Sequence, residues 1–278
     1  MRGRGAQAVL GGGGYVAGPA GLAAIALGLP LVLTEADRHL GLTNRILARR
    51  ARRVCLAFPI ADRTGDKYLV TGRPISADIV AADREGARRR FGVAPADRCL
   101  LVFGGSQGAH SINLCAIEAF AGDDEAQRDF HVLHISGSRD YPTLRERLDA
   151  GRKIGRYTLL EYEPGLADAL AACDLVLARS GGSIFEIAAA GRPAILVPYP
   201  YAAGRHQHAN AQWMTEAGAA IEIEDSELDP VSLCELSSEL LADEGAPKLA
   251  AMAAASALVA RPDAAARVAA ELLQALVG

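Results

Sequence analysis

The stretch Cys99-Leu-Leu-Val-Phe103-Gly-Gly-Ser-Gln-Gly108 decides the fold: a short apolar run, a glycine-rich loop, and then a segment that opens a helix. Such a run, closed by breakers, reads as a strand buried on both faces, and the glycines mark a tight strand-to-helix turn. Two other stretches share the construction, Leu10-Gly-Gly-Gly-Gly-Tyr-Val-Ala-Gly-Pro19 and Arg179-Ser-Gly-Gly-Ser-Ile-Phe-Glu186. Ala6 to Leu10, Leu31 to Leu33, Phe130 to Ile135, Tyr157 to Leu160, Asp174 to Ala178, Ala194 to Val197 and Ala219 to Ile223 also read as strands, and Pro19 to Leu27 as the helix after the first loop. Strands separated by one helix each imply right-handed crossovers and mostly parallel sheets covered on both faces, an α/β fold.

The length, 278 residues with 50% apolar content, suits two modest domains. The natural linker is Thr71-Gly-Arg-Pro-Ile-Ser76, where glycine and proline break the pattern. This predicts a small domain of about four strands over 1–75, a larger one over 76–261, and a last helix within 262–278 packing back on the first. The charge changes sign at the same place. Residues up to Ser76 carry 11 Lys+Arg against 4 Asp+Glu, while the rest carries 18 against 29, a +7/−11 split hidden in the net charge of −4. Arg38 to Arg53 holds six arginines and no acid, with Leu42, Ile46 and Leu47 at helical spacing among Arg45, Arg49, Arg50, Arg52 and Arg53. This reads as a short basic amphipathic helix, either an ordinary solvated face or a contact for an anionic membrane surface. Without interleaved aromatics, and on an acidic chain, it argues against nucleic acid.

No residue from Gly5 to Leu33 is charged, but glycines 11 to 14, Gly18, Pro19, Gly21 and Pro30 argue against a membrane-spanning helix or signal peptide in that run. The five cysteines are odd in number and scattered, with no C-x-x-C pair, as in a chain from a reducing compartment.

Loops at the carboxyl ends of parallel strands, with helix N-termini behind them, bind anions. None of the three contains a P-loop Gly-Lys-Ser/Thr, and no dinucleotide fingerprint with its acid is present. Glu186, in the first turn after the third loop, suits a ribose diol as well as the helix dipole. Val197 to Asn210 gathers His206, Gln207, His208 and Asn210 at a helix start, a set suited to sugar hydroxyls. Histidines at 206 and 208 do not face each other on a helix, and with no third ligand near them no metal is expected. No D-x-D motif is placed to hold a metal and a diphosphate.

Taken in order, Gly12-Gly-Gly-Tyr-Val-Ala-Gly-Pro19, Gly41-Leu-Thr-Asn44, Thr71-Gly-Arg-Pro74, Gly104-Gly-Ser-Gln-Gly-Ala109, Glu186-Ile-Ala-Ala-Ala-Gly191, Pro198 to Asn210 and Ala217-Gly-Ala219 strongly resemble the MurG family. These are peptidoglycan enzymes that transfer N-acetylglucosamine (GlcNAc) from UDP to lipid I, the undecaprenyl-pyrophosphoryl muramyl pentapeptide. The resemblance implies a GT-B fold, two Rossmann-like domains facing a cleft. It further implies an inverting transfer to the acceptor 4-hydroxyl with no metal or other cofactor, making lipid II. A peripheral position on the cytoplasmic membrane face is implied through the basic domain, along with other cell-wall synthesis proteins as partners.

Carried over by position, Gly105, Ser106 and Gln107 resemble the donor and diphosphate contacts, and Ser183 belongs to the third loop of that site. Glu186 resembles the ribose-binding glutamate, and His206, Gln207 and Asn210 the donor-sugar contacts. Gly13, Gly14, Tyr15 and Gly18 fall in the acceptor diphosphate loop. The chain departs from the family at its start, where nothing matches the GGTGGH-type loop whose histidine is the leading acceptor base. The expectation is that roughly half of the acceptor domain is absent. The H-E-Q-N motif is Thr34-Glu-Ala-Asp37 here, which leaves Glu35 as the candidate base, and the arginine ending the linker motif is Ser76. The third loop is one residue short. These departures motivate an alternative, a non-catalytic UDP-sugar-binding protein or the donor half of a split transferase.

Overall fold

The computed structural model describes residues 1, 3, 5–105, 108–121, 129–150, 155–202 and 206–277. The chain divides into two units, Met1–Ser76 with Arg261–Gly278, and Ala77–Ala260. The first contains β1 (Val9–Gly11), α1 (Gly14–Ala26), β2 (Leu31–Glu35), α2 (Leu42–Leu47), β3 (Arg53–Leu56) and β4 (Tyr68–Val70). The second runs α3 (Asp78–Ala81), α4 (Arg84–Phe91), β5 (Arg98–Phe103), α5 (His110–Phe120), β6 (Phe130–Ile135), α6 (Tyr141–Ala150), β7 (Tyr157–Leu160), α7 (Leu166–Ala172) and β8 (Leu175–Ala178). It continues with α8 (Ile184–Ala189), β9 (Ala194–Leu196), α9 (His206–Glu216), β10 (Ala220–Glu222), a 3-10 turn (Asp225–Glu227), α10 (Pro230–Leu241) and α11 (Ala246–Val259). The last helix, α12 (Ala264–Val277), returns to the first unit.

In the first unit four strands pair in parallel in the order β1-β2-β3-β4. Alternation along β2 sends Leu31 and Leu33 into a cluster with Leu47, Ala51, Val54 and Leu56, and Val32 to the opposite face against Cys55, Val268 and Ala275 of α12. Arg53 Nε pairs with Glu271 Oε2 at 2.8 Å and ties α12 to β3. Gly72 has φ +86, and a Cβ there would stand 2.6 Å from Arg261 Cβ, so only glycine lets the end of the sheet pass the start of the returning segment.

Two expectations for this unit are corrected. The first helix starts at Gly14 rather than Pro19, and Tyr15 and Gly18 lie inside it. Pro19 removes an intrahelical hydrogen bond, but the approach of α1 to α2, where a Cβ on Gly21 would meet Leu47 Cδ1 at 2.5 Å, carries the helix through it. The basic run is not one helix either. It forms only α2, and Arg53 opens β3, because Ala51, Val54 and Leu56 belong to the sheet core.

The second unit is a parallel sheet of six strands in the order β10-β9-β8-β5-β6-β7. The chain winds outward from β5 to β7, then returns to β8 on the other side and winds to β10. The strand order therefore reverses between β5 and β8, and at such a switch point the two following loops diverge and leave a crevice. Leu100 and Val102 of β5 pack with Ile112, Ala116, Leu175 and Leu177 under α5 and α10. Helix α4 is capped by Asp83, which accepts from Glu85 N and Gly86 N, and ends on Gly92 at φ 71.

Candidate functional site

The second glycine loop leaves β5 at the switch point. A Cβ on Gly104 would lie 2.2 Å from Ala109 N, and one on Gly108 (φ +73) 2.2 Å from Ser136 O, so the loop folds onto backbone that no side chain would tolerate. Gly105, at φ +90, has nothing within 4 Å of its Cβ position, and its carbonyl accepts from Gly108 N at 3.0 Å. The first-turn N–H groups of α5, which have no acceptor within the helix, follow directly, the arrangement that holds an anion. Ser106 and Gln107, the expected diphosphate contacts, lie outside the described residues.

Behind this loop a buried network fixes the first turn of α5. Asp140 accepts from Asn113 Nδ2 at 2.8 Å and lies 3.0 Å from His110 Nδ1. Burial pushes the Asp140 carboxyl up, but the hydrogen bonds from Asn113, His110 and Arg139 outweigh it and hold the group below its ordinary range. His134 is fully enclosed, with Nε2 3.0 Å from Asn113 Oδ1 and Nδ1 2.7 Å from the Tyr157 hydroxyl, and burial lowers its pKa to about 3 against the raising effect of Asp140.

The third loop, on the other side of the switch point, meets α9. Asn210 Nδ2 donates to Ser180 O at 3.0 Å, and Gly181 has its Cβ position 3.9 Å from Gln207 Nε2. Gln207 Oε1 in turn accepts from Tyr199 N at 2.9 Å. Asn210 Oδ1 and Ser180 Oγ are buried with no hydrogen-bond partner among the described residues. Ser183 precedes α8, and Glu186 is half-buried in the first turn of that helix. His206 and Gln207, both half-buried, open α9. Gly105, Ser183, Glu186, His206, Gln207 and Asn210 thus all stand on the connections that follow β5, β8 and β9.

The expectation that no third ligand stands near the histidines is corrected by the fold. His208 Nδ1 lies 3.1 Å from Glu222 Oε1 and 3.5 Å from Glu224 Oε1, and the three ligand atoms fall within 4.8 Å of one another. The glutamates come from β10 and the residues after it, so sequence spacing on α9 gave no sign of them. His206 is not in this group.

In the first unit Gly13 caps α1 at φ +82, and a Cβ on it would lie 3.2 Å from Asn44 Nδ2. Gly14 has φ +71, and Tyr15 is exposed. Glu35 is buried below this turn, and its carboxylate is fully engaged. Oε1 accepts from Ala36 N and Asp37 N, and Oε2 from Gly41 N at 2.9 Å and Asn44 Nδ2 at 3.0 Å. Four N–H donors on one carboxylate fit a group that fixes the loop between β2 and α2, and this geometry weighs against Glu35 as the base. Of the basic residues, Arg45, Arg49, Arg50 and Arg52 are exposed beside Leu42 and Ile46. Arg53 is committed to Glu271 and to Asp66 O.

Arg179 is not among the candidate residues singled out from the sequence, although an arginine directly after the apolar run Leu175 to Ala178 is a signal that sequence offers. Its side chain is buried at the carboxyl edge of the sheet.

Paired parallel α/β units, with glycine loops and helix N-termini at the carboxyl edge of the larger sheet, define the chain as a glycosyltransferase when set beside known proteins. Residues 99–268 match the glycosyltransferase family 28 C-terminal domain and residues 1–56 its N-terminal domain. A transferase of Moorella thermoacetica named for moving N-acetylglucosamine onto N-acetylmuramyl-(pentapeptide) pyrophosphoryl-undecaprenol is 42% identical over 92% of this chain and 70% of its own length. The similarly named protein of Rubrobacter xylanophilus is 42% identical over 96% of this chain and 77% of its own. Among solved structures, Acinetobacter baumannii MurG superposes with a TM-score of 0.76 at 29% identity, over 99% of this chain and 75% of that one. The chain belongs to the MurG family.

Proposed function

We propose that this protein transfers GlcNAc from UDP-GlcNAc to the 4-hydroxyl of lipid I, in peptidoglycan synthesis. The observation that carries the donor half of this reading is the convergence of the second loop, the third loop and the start of α9 at the switch point of the larger sheet. There Gln207 stands against Gly181 and Asn210 against Ser180. Helix N-termini receive the diphosphate, Glu186 binds the ribose diol, and Gln207, Asn210 and His206 read the sugar. In an inverting displacement the acceptor oxygen forms its bond to the anomeric carbon as the bond to the UDP oxygen breaks. The charge that develops on UDP is then met by the same N-termini. A base takes the acceptor proton, and the four N–H donors on the Glu35 carboxylate favour another group in that role.

The first unit supplies the acceptor side, with Gly13, Gly14 and Tyr15 at the start of α1 facing the lipid diphosphate, while Gly18, further along the helix, has its Cβ position 3.6 Å from Thr43 Cγ2 of α2 and serves helix packing. A contact of that unit with the anionic cytoplasmic surface of the membrane is supported by the exposure of Arg45, Arg49, Arg50 and Arg52 next to exposed Leu42 and Ile46. Among the described residues no helix is long and apolar enough to cross a membrane.

The test is a transfer assay with labelled UDP-GlcNAc and lipid I, run beside calorimetric titration of UDP-GlcNAc. Lipid II formation supports the whole reading. Donor binding without transfer supports only the sugar-nucleotide site and favours the donor-half alternative, whereas no binding overturns the site.

A further inference from the structure

At the carboxyl edge of the second unit one buried cation touches every connection that builds the proposed donor site. Arg179, at the end of β8, donates from Nη1 to Val197 O at 3.1 Å and to Pro198 O at 3.2 Å, both after β9. The same Nη1 lies 2.5 Å from Asp225 Oδ1, in the turn that follows β10. Nη2 donates to Ser111 Oγ at 2.8 Å, in the first turn of α5 after β5. Ser111 Oγ donates in turn to Asp225 Oδ1 at 2.7 Å, closing a triangle of three side chains from three connections. The guanidinium also lies 5.4 Å from the centre of the Tyr199 ring, in the segment between β9 and α9.

A buried guanidinium is costly unless its N–H groups and its charge are matched, and here the match comes from loops far apart in sequence. The planar fork is what lets one side chain serve several fixed acceptors at once, and an ammonium would reach only some of them. The polar atoms of the triangle face each other, so the group is built to hold loops in register.

We propose that Arg179, acting through Ser111 and Asp225, is the positioning residue of the sugar-nucleotide site, setting the spacing of the loops that take the diphosphate, the ribose and the sugar. This rests on the donor-site reading given above. Removing the fork leaves the contacts with UDP-GlcNAc in place but frees their relative positions, so affinity suffers before the chemical step does.

The experiment compares wild type, Arg179→Lys, Ser111→Ala and the double variant of the full chain, by thermal unfolding, calorimetric titration of UDP-GlcNAc, and steady-state transfer to lipid I. Arg179→Lys is expected to raise Kd and KM for UDP-GlcNAc by about tenfold or more, the scale of one lost hydrogen bond to a charged group, with kcat within about threefold. Ser111→Ala is expected to raise Kd by about threefold at unchanged Tm, and the double variant to bind no more weakly than Arg179→Lys alone, because both act through one triangle. A folded Arg179→Lys with wild-type Kd overturns the proposal. Where that variant loses its cooperative transition, Ser111→Ala decides, and wild-type Kd at wild-type Tm overturns it. A wild-type chain that does not bind UDP-GlcNAc overturns the donor-site reading and this inference with it, an outcome distinct from equal binding by wild type and variants.

Discussion

Asn44 Nδ2 donates to Glu35 Oε2 at 3.0 Å and to Thr34 O at 2.9 Å, so the amide at the start of α2 is clamped to the carboxyl end of β2 directly beneath Gly13. Glu35 is therefore expected to matter to stability before it matters to proton transfer. Glu35→Gln puts a donor opposite either Ala36 N and Asp37 N or Gly41 N and Asn44 Nδ2, and the expected loss is about 1.5 to 3 kcal/mol, the range for a hydrogen bond to a charged group. Denaturant unfolding checks this. An unchanged midpoint together with a loss of kcat by orders of magnitude would restore Glu35 as the base.

Glu186 stands in the first turn of α8, half-buried, on the connection that also carries Ser180 and Gly181. If its carboxylate accepts from the ribose hydroxyls, Glu186→Ala weakens UDP-GlcNAc binding by about 1 to 3 kcal/mol. Calorimetry with UDP-GlcNAc reads the effect directly, and affinity equal to wild type would remove Glu186 from the site.

Most of the larger sheet was legible because its strands are short, apolar and fenced by glycine or proline: Cys99 to Phe103 and Phe130 to Ile135 sit within one residue of β5 and β6. The smaller sheet was harder to read. Arg49, Arg50, Arg52 and Arg53 look like one helical face in sequence, yet Arg53 belongs to a strand whose cation is matched by Glu271, more than 200 residues away. The same limit hid the triangle of Ser111, Arg179 and Asp225 and the group of His208, Glu222 and Glu224, since only folding brings them together. The glycine loops were visible because positive φ and close backbone approach restrict a position to one residue type, whereas a hydrogen-bond partner leaves no comparable mark on the sequence.

His134 sets a pH dependence of stability with a definite sign. Burial lowers its pKa to about 3 in the folded chain, while the unfolded chain titrates near the ordinary value of about 6.5. Between these values the unfolded state binds the extra proton, so the contribution of His134 is complete above about pH 6.5 and is lost as pH falls, at up to about 1.4 kcal/mol per unit. In His134→Gln that slope is absent. The stability difference between pH 7 and pH 5, from guanidinium titrations, is expected to be smaller in the variant by about 2 kcal/mol. Equal differences in the two chains would mean that His134 is not held neutral.

The exposed arginines separate membrane contact from folding. Arg49, Arg50 and Arg52 project around the turn between α2 and β3, whereas Arg53 is held by Glu271 at 2.8 Å. Each exposed cation near an anionic surface contributes on the order of 1 kcal/mol, so replacing those three by glutamine should weaken binding to phosphatidylserine vesicles by about two orders of magnitude at physiological salt. Affinity for UDP-GlcNAc is expected to stay the same, since the donor loops belong to the other unit. Arg53→Gln should behave in the opposite way, lowering stability by about 0.5 to 1 kcal/mol through the lost pair, with a smaller effect on vesicles. Vesicle co-sedimentation and thermal unfolding of the two variants distinguish the cases. Equal sedimentation of the triple variant and wild type would remove the membrane role from this surface.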